Sequence, residues 1–189
     1  IEEEAVLVET EIKDNKALLK ISILFFCLSF SSYGVSSWIS DLFKKVGLEN
    51  TFSASILFSA SSLPGNIIAY YYIDIVGRRK MLIIATLGAG ISAIIFSLET
   101  FWQNKILLIM ASCFYNSFII MCWNSLDCLS AEIFPNHNRT TLLGYATAIG
   151  RVGSIFSTFI NGQLITSNDL STILALASIS ILICTITTY

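Results

Sequence analysis

Charged side chains are scarce in this chain. Asp, Glu, Lys and Arg make up 13% of its 189 residues, about half the roughly 25% of a soluble domain. The 54% apolar residues are too many to hide in one soluble core. Acids outnumber Lys and Arg by 13 to 11, so no basic field is available for nucleic acid and no such partner is expected. Histidine occurs once, at His137, and neither HExxH nor GxSxG is present. An enzyme needs a nucleophile beside a base, or a metal constellation. None is legible, so no catalytic residue, metal or cofactor is expected. The five cysteines (Cys27, Cys113, Cys122, Cys128 and Cys184) fall inside apolar stretches without a CxxC pair or zinc spacing. They read as packing residues. The chain begins with Ile1, shows no secretory leader and stops at Tyr189 inside an apolar run. It is expected to be truncated at both ends.

What the sequence does have is long apolar runs. Against about 20 residues per bilayer crossing, six fit: 19–40, 52–73, 81–98, 105–129, 141–165 and 170–189. Short connections hold nearly all the charge. In lipid every backbone amide must bond internally, so runs this long are helices. Barrel strands would be shorter and would alternate apolar with polar residues. The expectation is an all-α polytopic membrane protein: an acidic segment at 1–18, then a six-helix bundle at 19–189. The segment reads as a solvated linker with, at most, a short surface helix.

Basic residues set the orientation. With 1–18 in the cytosol, that side carries Lys13, Lys16, Lys20, Arg78, Arg79, Lys80 and Arg139, against Lys44, Lys45 and Lys105 opposite. The positive-inside rule favours this choice. It leaves the single sequon, Asn138-Arg139-Thr140, on the side where no glycan is added.

Two loops carry more than topology. After the second run, LPGNIIAYYYIDIVGRRKM places Asp74, Gly77, Arg78, Arg79 and Lys80 directly behind an apolar helix. Asp74 suits a helix N-terminus, Gly77 a tight reversal, and the arginines offer forked donors to neighbouring carboxylates. Positive-inside bias alone explains the arginines but not Asp74 and Gly77. The stretch SAEIFPNHNRTTLLGYATAIGRVGSI sets Glu132, Pro135, Arg139, Gly144, Arg151 and Gly153 at fixed offsets.

The first loop resembles the D-x-x-G-R-(R/K) signature of the major facilitator superfamily, departing from it at Tyr70, where the longer motif has glycine. The second is similar to the synaptic vesicle glycoprotein and organic-ion transporter branch, and it shares its Glu and Arg with sugar porters. The resemblance implies the C-terminal six-helix half of a twelve-helix carrier, built as 3+3 inverted repeats and partnered by an N-terminal half. It also implies a cytosolic gate in which Glu132 pairs with Arg78 or Arg79, and Arg139 pairs with carboxylates of the missing half or the linker. A solvated charged loop is the alternative.

Arg151 is the strongest candidate for solute contact. It lies about 11 residues into the fifth run, roughly 16 Å at 1.5 Å per residue, near mid-bilayer. A charge there costs at least ~2.5 kcal/mol, so it should face a cavity or a partner. Gly144, Thr147, Ala148, Arg151, Ser154, Thr158 and Gly162 form a small polar stripe on its face. That stripe suits either a cavity wall or a close-packed seam. Ser112, Asn116, Ile120, Trp123 and Asp127 share a face of the fourth run, flanked by Asn124. Ser29, Tyr33, Ser36 and Ser40 do so in the first run, beside Trp38. Tyr33, Asn116, Trp123, Asn124 and Asp127 join Arg151 as expected translocation residues. Asp127 reads either as a proton-coupling carboxylate or as a structural partner of arginines. The resemblance implies an organic anion or zwitterion as solute, with a coupling ion optional. A sugar carrier, a channel and a non-transporting receptor on the same fold are the alternatives. Which membrane holds the protein is not legible.

Overall fold

The computed structural model describes the backbone of residues 2–48, 50–102, 105–166 and 170–188, and the side chains of 15–48, 50–98, 105–166 and 172–188. Side chains of 1–14, Lys13 included, and of 99–104 lie outside the described residues, as do the connection at 167–169 and Tyr189. Every described element is helical, with no strand among the described residues. The order is α1 (Glu2–Ser36), α2 (Ile39–Lys45), α3 (Thr51–Ala60), α4 (Ser62–Val76), α5 (Arg78–Trp102), α6 (Lys105–Ile133), α7 (Arg139–Thr166) and α8 (Leu170–Thr188).

Four stretches are long and apolar enough to cross a bilayer: Asn15–Ser36, Thr51–Val76, Arg78–Leu98 and Lys105–Ile133. The apolar stretch Thr172–Thr188 is shorter. α7 has the length, 28 residues or about 42 Å, but not the apolarity. Arg151, Asn161, Gln163 and many hydroxyls dilute it. Over the acidic segment the backbone is already helical from Glu2, as strong helix formers such as Glu, Ala, Leu and Lys favour.

Two expected spans are interrupted. The first breaks between Ser36 and Ile39, so that α2 folds over one end of the bundle and buries Ile39, Leu42 and Phe43. The second breaks at Ser61, which places Pro64 in the first turn of α4, where its missing N–H is tolerated. Side chains of α6 take up the polar groups at this break: Asn116 Nδ2 donates to Phe58 O at 2.7 Å, and Ser117 Oγ donates to Ser61 O at 2.6 Å. Gly65 seals the contact, because a Cβ there would strike the Ser117 carbonyl. Gly77, with φ 92°, is the single residue between α4 and α5. A side chain would be strained at that angle.

The bundle packs α1 on α7 and α8, α5 on α6 and α8, and α4 on α6. α5 turns Leu82, Ala85, Ala89, Ala93 and Phe96 inward at helical spacing, all buried. Buried Tyr115 joins three helices: its hydroxyl donates to Ser31 O at 3.0 Å and lies 2.7 Å from Ser31 Oγ, which reaches Ala177 O at 3.3 Å.

Candidate functional site: a polar cavity beside Arg151

Between α1, α3, α6 and α7 lies a cavity of about 530 Å³. α1 lines it with Phe25, Ser29, Ser32, Tyr33 and Ser36; α3 adds Phe58. α6 contributes Tyr115, Asn116, Ile119, Ile120, Trp123 and Asp127, and α7 adds Thr147 and Arg151. Five of the six expected translocation residues therefore meet here. Asn124 is the exception. One residue past Trp123 turns it about 100° around α6, and its Nδ2 donates instead to Asn66 Oδ1 on α4 at 2.8 Å. Ser112 is buried away from the cavity and Ser40 bonds Ser55.

Arg151 Nη1 donates to Tyr33 Oη at 3.1 Å, and the guanidinium carbon lies 5.9 Å from the Tyr33 ring centre. Trp123 stands edge-on to Tyr33, with centroids 6.4 Å apart, and tilts against Phe25 at 6.1 Å. The guanidinium thus sits beside an aromatic corner. Among the described residues no carboxylate lies within ion-pair distance of Arg151, so Asp127 shares the cavity without neutralising it. Ser36 and Thr147 spend their hydroxyl protons on their own helices, at Ser32 O and Leu143 O.

α7 separates the two uses that small residues serve. Its buried stripe, Ala146, Gly150, Gly153, Ser157 and Asn161, is the seam against α1. A Cβ on Gly153 would come within 2.8 Å of Phe26 O, and Ser157 Oγ donates to Phe30 O at 2.5 Å. One step around the helix, Thr147, Arg151, Ser154, Thr158 and Gly162 border open space. Ser154, Thr158 and Gly162 face a second cavity of about 690 Å³, floored by Trp38, whose Nε1 donates to Thr158 O. Tyr33 borders both cavities.

At the opposite end of the helices from α2, Arg78 lies 2.8 Å from Asp74 and 2.7 Å from Glu132. Its Nε–H is not aimed at the Glu132 oxygen, so the approach is an ion pair rather than an aligned hydrogen bond. Of the two arginines expected at the gate, Arg78 is the one that meets Glu132, while Arg79 Nε donates to Thr188 O on α8 at 2.8 Å. The next residue of a helix points about 100° away, which carries it from α6 toward α8. Arg139 donates to Asn136 Oδ1 of its own loop at 2.6 Å; the carboxylates expected to meet it, in the linker or the missing half, lie outside the described residues. The lining residues Phe25, Ser32, Phe58, Tyr115 and Ile119 were not expected from the sequence. Phe25 is one turn before Ser29 on the same stripe and could have been found by extending it; Phe58 is visible only through the break at Ser61.

Long apolar helices around a charge-bearing cavity define a polytopic helical membrane protein. Residues 7–189 match the family described as sugar (and other) transporter. The chain belongs to that family and so to the major facilitator superfamily. It is similar to a putative niacin/nicotinamide transporter of Bacillus subtilis, 30% identical over 146 residues, covering 76% of this chain and 36% of the relative. It is also similar to synaptic vesicle glycoprotein 2C of Mus musculus, 30% identical over 155 residues, covering 77% and 21%. Human synaptic vesicle glycoprotein 2A matches at 29% over 119 residues, covering 60% and 16%. The chain thus spans about a third or less of these relatives.

Proposed function

We propose that this chain is the C-terminal six-helix half of a twelve-helix carrier that moves a small organic anion or zwitterion by alternating access. Six crossings would come from α1, α3 with α4, α5, α6, α7 and α8, arranged as two inverted three-helix repeats. α7 crosses despite its polarity because one face lines water rather than lipid. Residues 1–18, the α4–α5 turn and the α6–α7 loop lie in the cytosol on this reading, as basic residues favour.

The observation that carries the proposal is that Arg151 faces a cavity beside Tyr33 and Trp123 with no described carboxylate to neutralise it; on the proposed topology that charge lies near mid-bilayer. Its fork suits a solute carboxylate, and the aromatic corner suits a flat apolar body. A niacin-like carboxylate, as in the Bacillus relative's name, has both features. Arg78, Asp74 and Glu132 act as a gate. Such exposed pairs contribute ~0–1 kcal/mol each, enough to tilt two states separated by a few kcal/mol.

The test is uptake into proteoliposomes by the full-length carrier. Nicotinate should enter with saturation and counterflow, glucose should not compete, and Arg151→Ala should cut nicotinate uptake by about tenfold or more, ~1.4 kcal/mol, at equal protein incorporation. Unchanged uptake in that variant removes Arg151 from the site. Competition by glucose would favour a sugar carrier, and absence of any flux a receptor.

A further inference from the structure

Asp127 gives the Arg151 cavity a second charge, of the opposite sign. Among the described residues these two are the only charged side chains that line it. They stand on α6 and α7, helices joined at one end by the loop 134–138. Asp127 lies six residues before Ile133, where α6 ends, and Arg151 twelve residues after Arg139, where α7 starts. At 1.5 Å per residue the two lie roughly 9 Å and roughly 18 Å from that end, so their depths differ by about 9 Å. They form no ion pair with each other, and both side chains are exposed rather than packed.

Aromatic rings occupy the interval. Tyr33 accepts a hydrogen bond from Arg151, and its ring centre lies 5.9 Å from the guanidinium carbon. Trp123 meets Tyr33 edge-on. Asp127 follows Trp123 by about one turn of α6, and both line the cavity. A cation, two rings and a carboxylate thus run in a row along one wall. Ring faces attract a cationic nitrogen, most strongly one stripped of its water.

The two charges of the unloaded cavity sum to zero. A simple anion on Arg151 leaves Asp127 as an uncompensated negative charge nearby, which costs more in low-dielectric surroundings than in water. A solute that carries both signs keeps the sum at zero and gives each side chain a partner. Resting on the organic-ion reading above, we infer that the cavity selects a zwitterion over a plain anion, with the solute's carboxylate on Arg151 and its cationic nitrogen between Trp123 and Asp127. Asp127 is then the residue that sets this preference, attracting the cationic group and repelling anions that lack one.

The test is competition against nicotinate counterflow by the full-length carrier in proteoliposomes, using three compounds that share one ring. These are nicotinate itself, its N-methylated zwitterion, and the N-methylated carboxamide, which is a cation. In wild type the zwitterion should compete about tenfold better than nicotinate, and the cation worse than either. Asp127→Asn should erase the advantage of the zwitterion while nicotinate counterflow persists, and Asp127→Glu should keep the advantage. A zwitterion that competes no better than transported nicotinate overturns the inference and leaves the anion reading standing. So does full preference retained in Asp127→Asn. Loss of nicotinate counterflow in Asp127→Asn assigns the carboxylate a structural role and overturns the inference too. If neither carboxylate compound competes, or if Arg151→Ala handles both as wild type does, the organic-ion reading itself fails and takes this inference with it.

Discussion

At bilayer depth a guanidinium needs water, a counter-charge or a solute, and Tyr33 meets only one of the Arg151 donors. Arg151→Lys keeps the charge and loses the fork, so KM for an anionic solute should rise about tenfold, ~1.4 kcal/mol, with smaller change in kcat; transport kinetics in proteoliposomes read the split. Tyr33→Phe removes the hydroxyl acceptor and keeps the ring. Hydrogen bonds between membrane helices average ~0.6 kcal/mol, so its effect on apparent affinity should be about threefold or less, as measured by competition binding. Asp127 lines the cavity without an ion pair to Arg151. If it couples protons, Asp127→Asn should abolish accumulation driven by a pH gradient while counterflow persists. Five cavity residues were legible because polar side chains recur every three or four positions on apolar helices, which gathers them on one face that lipid would not solvate. Asn124 lies outside that cavity, and a flanking residue cannot be told from a lining one without the neighbouring helix. Its partner, Asn66, belongs to α4.

Helix–helix contact depends on features that sequence shows only in part. Gly65 and Gly144 look alike on paper, yet a Cβ on the first meets the Ser117 carbonyl and one on the second meets nothing within 4 Å. Gly65→Leu should therefore destabilise the carrier by about 1–3 kcal/mol through overpacking, seen as a lower melting temperature in detergent. Gly144→Leu should leave that temperature nearly unchanged. The small-residue stripe of α7 presents the same lesson. Seam and cavity wall run side by side, one residue apart, and only the path of α1 decides which is which. Helix type followed from the length of the apolar runs. The interruptions at Ser37–Trp38 and Ser61 did not, because no glycine or proline occupies the break itself; at Ser61 it is stabilised from α6 by Asn116 and Ser117.

Across the whole bundle, charge is segregated by end. Arg78, Arg79, Lys80 and Arg139 gather at one end, and Lys44 and Lys45 at the other. With the proposed orientation, Asn136→Cys should react with an impermeant maleimide only from the cytosolic side, and Lys44→Cys only from the outside. The reverse pattern would invert the topology without touching the cavity. Glu132→Gln weakens its contact to Arg78 and should shift the carrier toward the inward-open state, read as faster maleimide labelling of Thr147→Cys from the cytosol. At the α2 end, Lys45 Nζ donates to Ile165 O in the last turn of α7, and Trp38 Nε1 donates to Thr158 O about two turns earlier. The short surface helix is thereby rivetted to the tail of the arginine-bearing helix, and any tilt of α7 must drag it along. A fluorophore attached to α2 would thus serve as an outside pointer for motion at the membrane's middle.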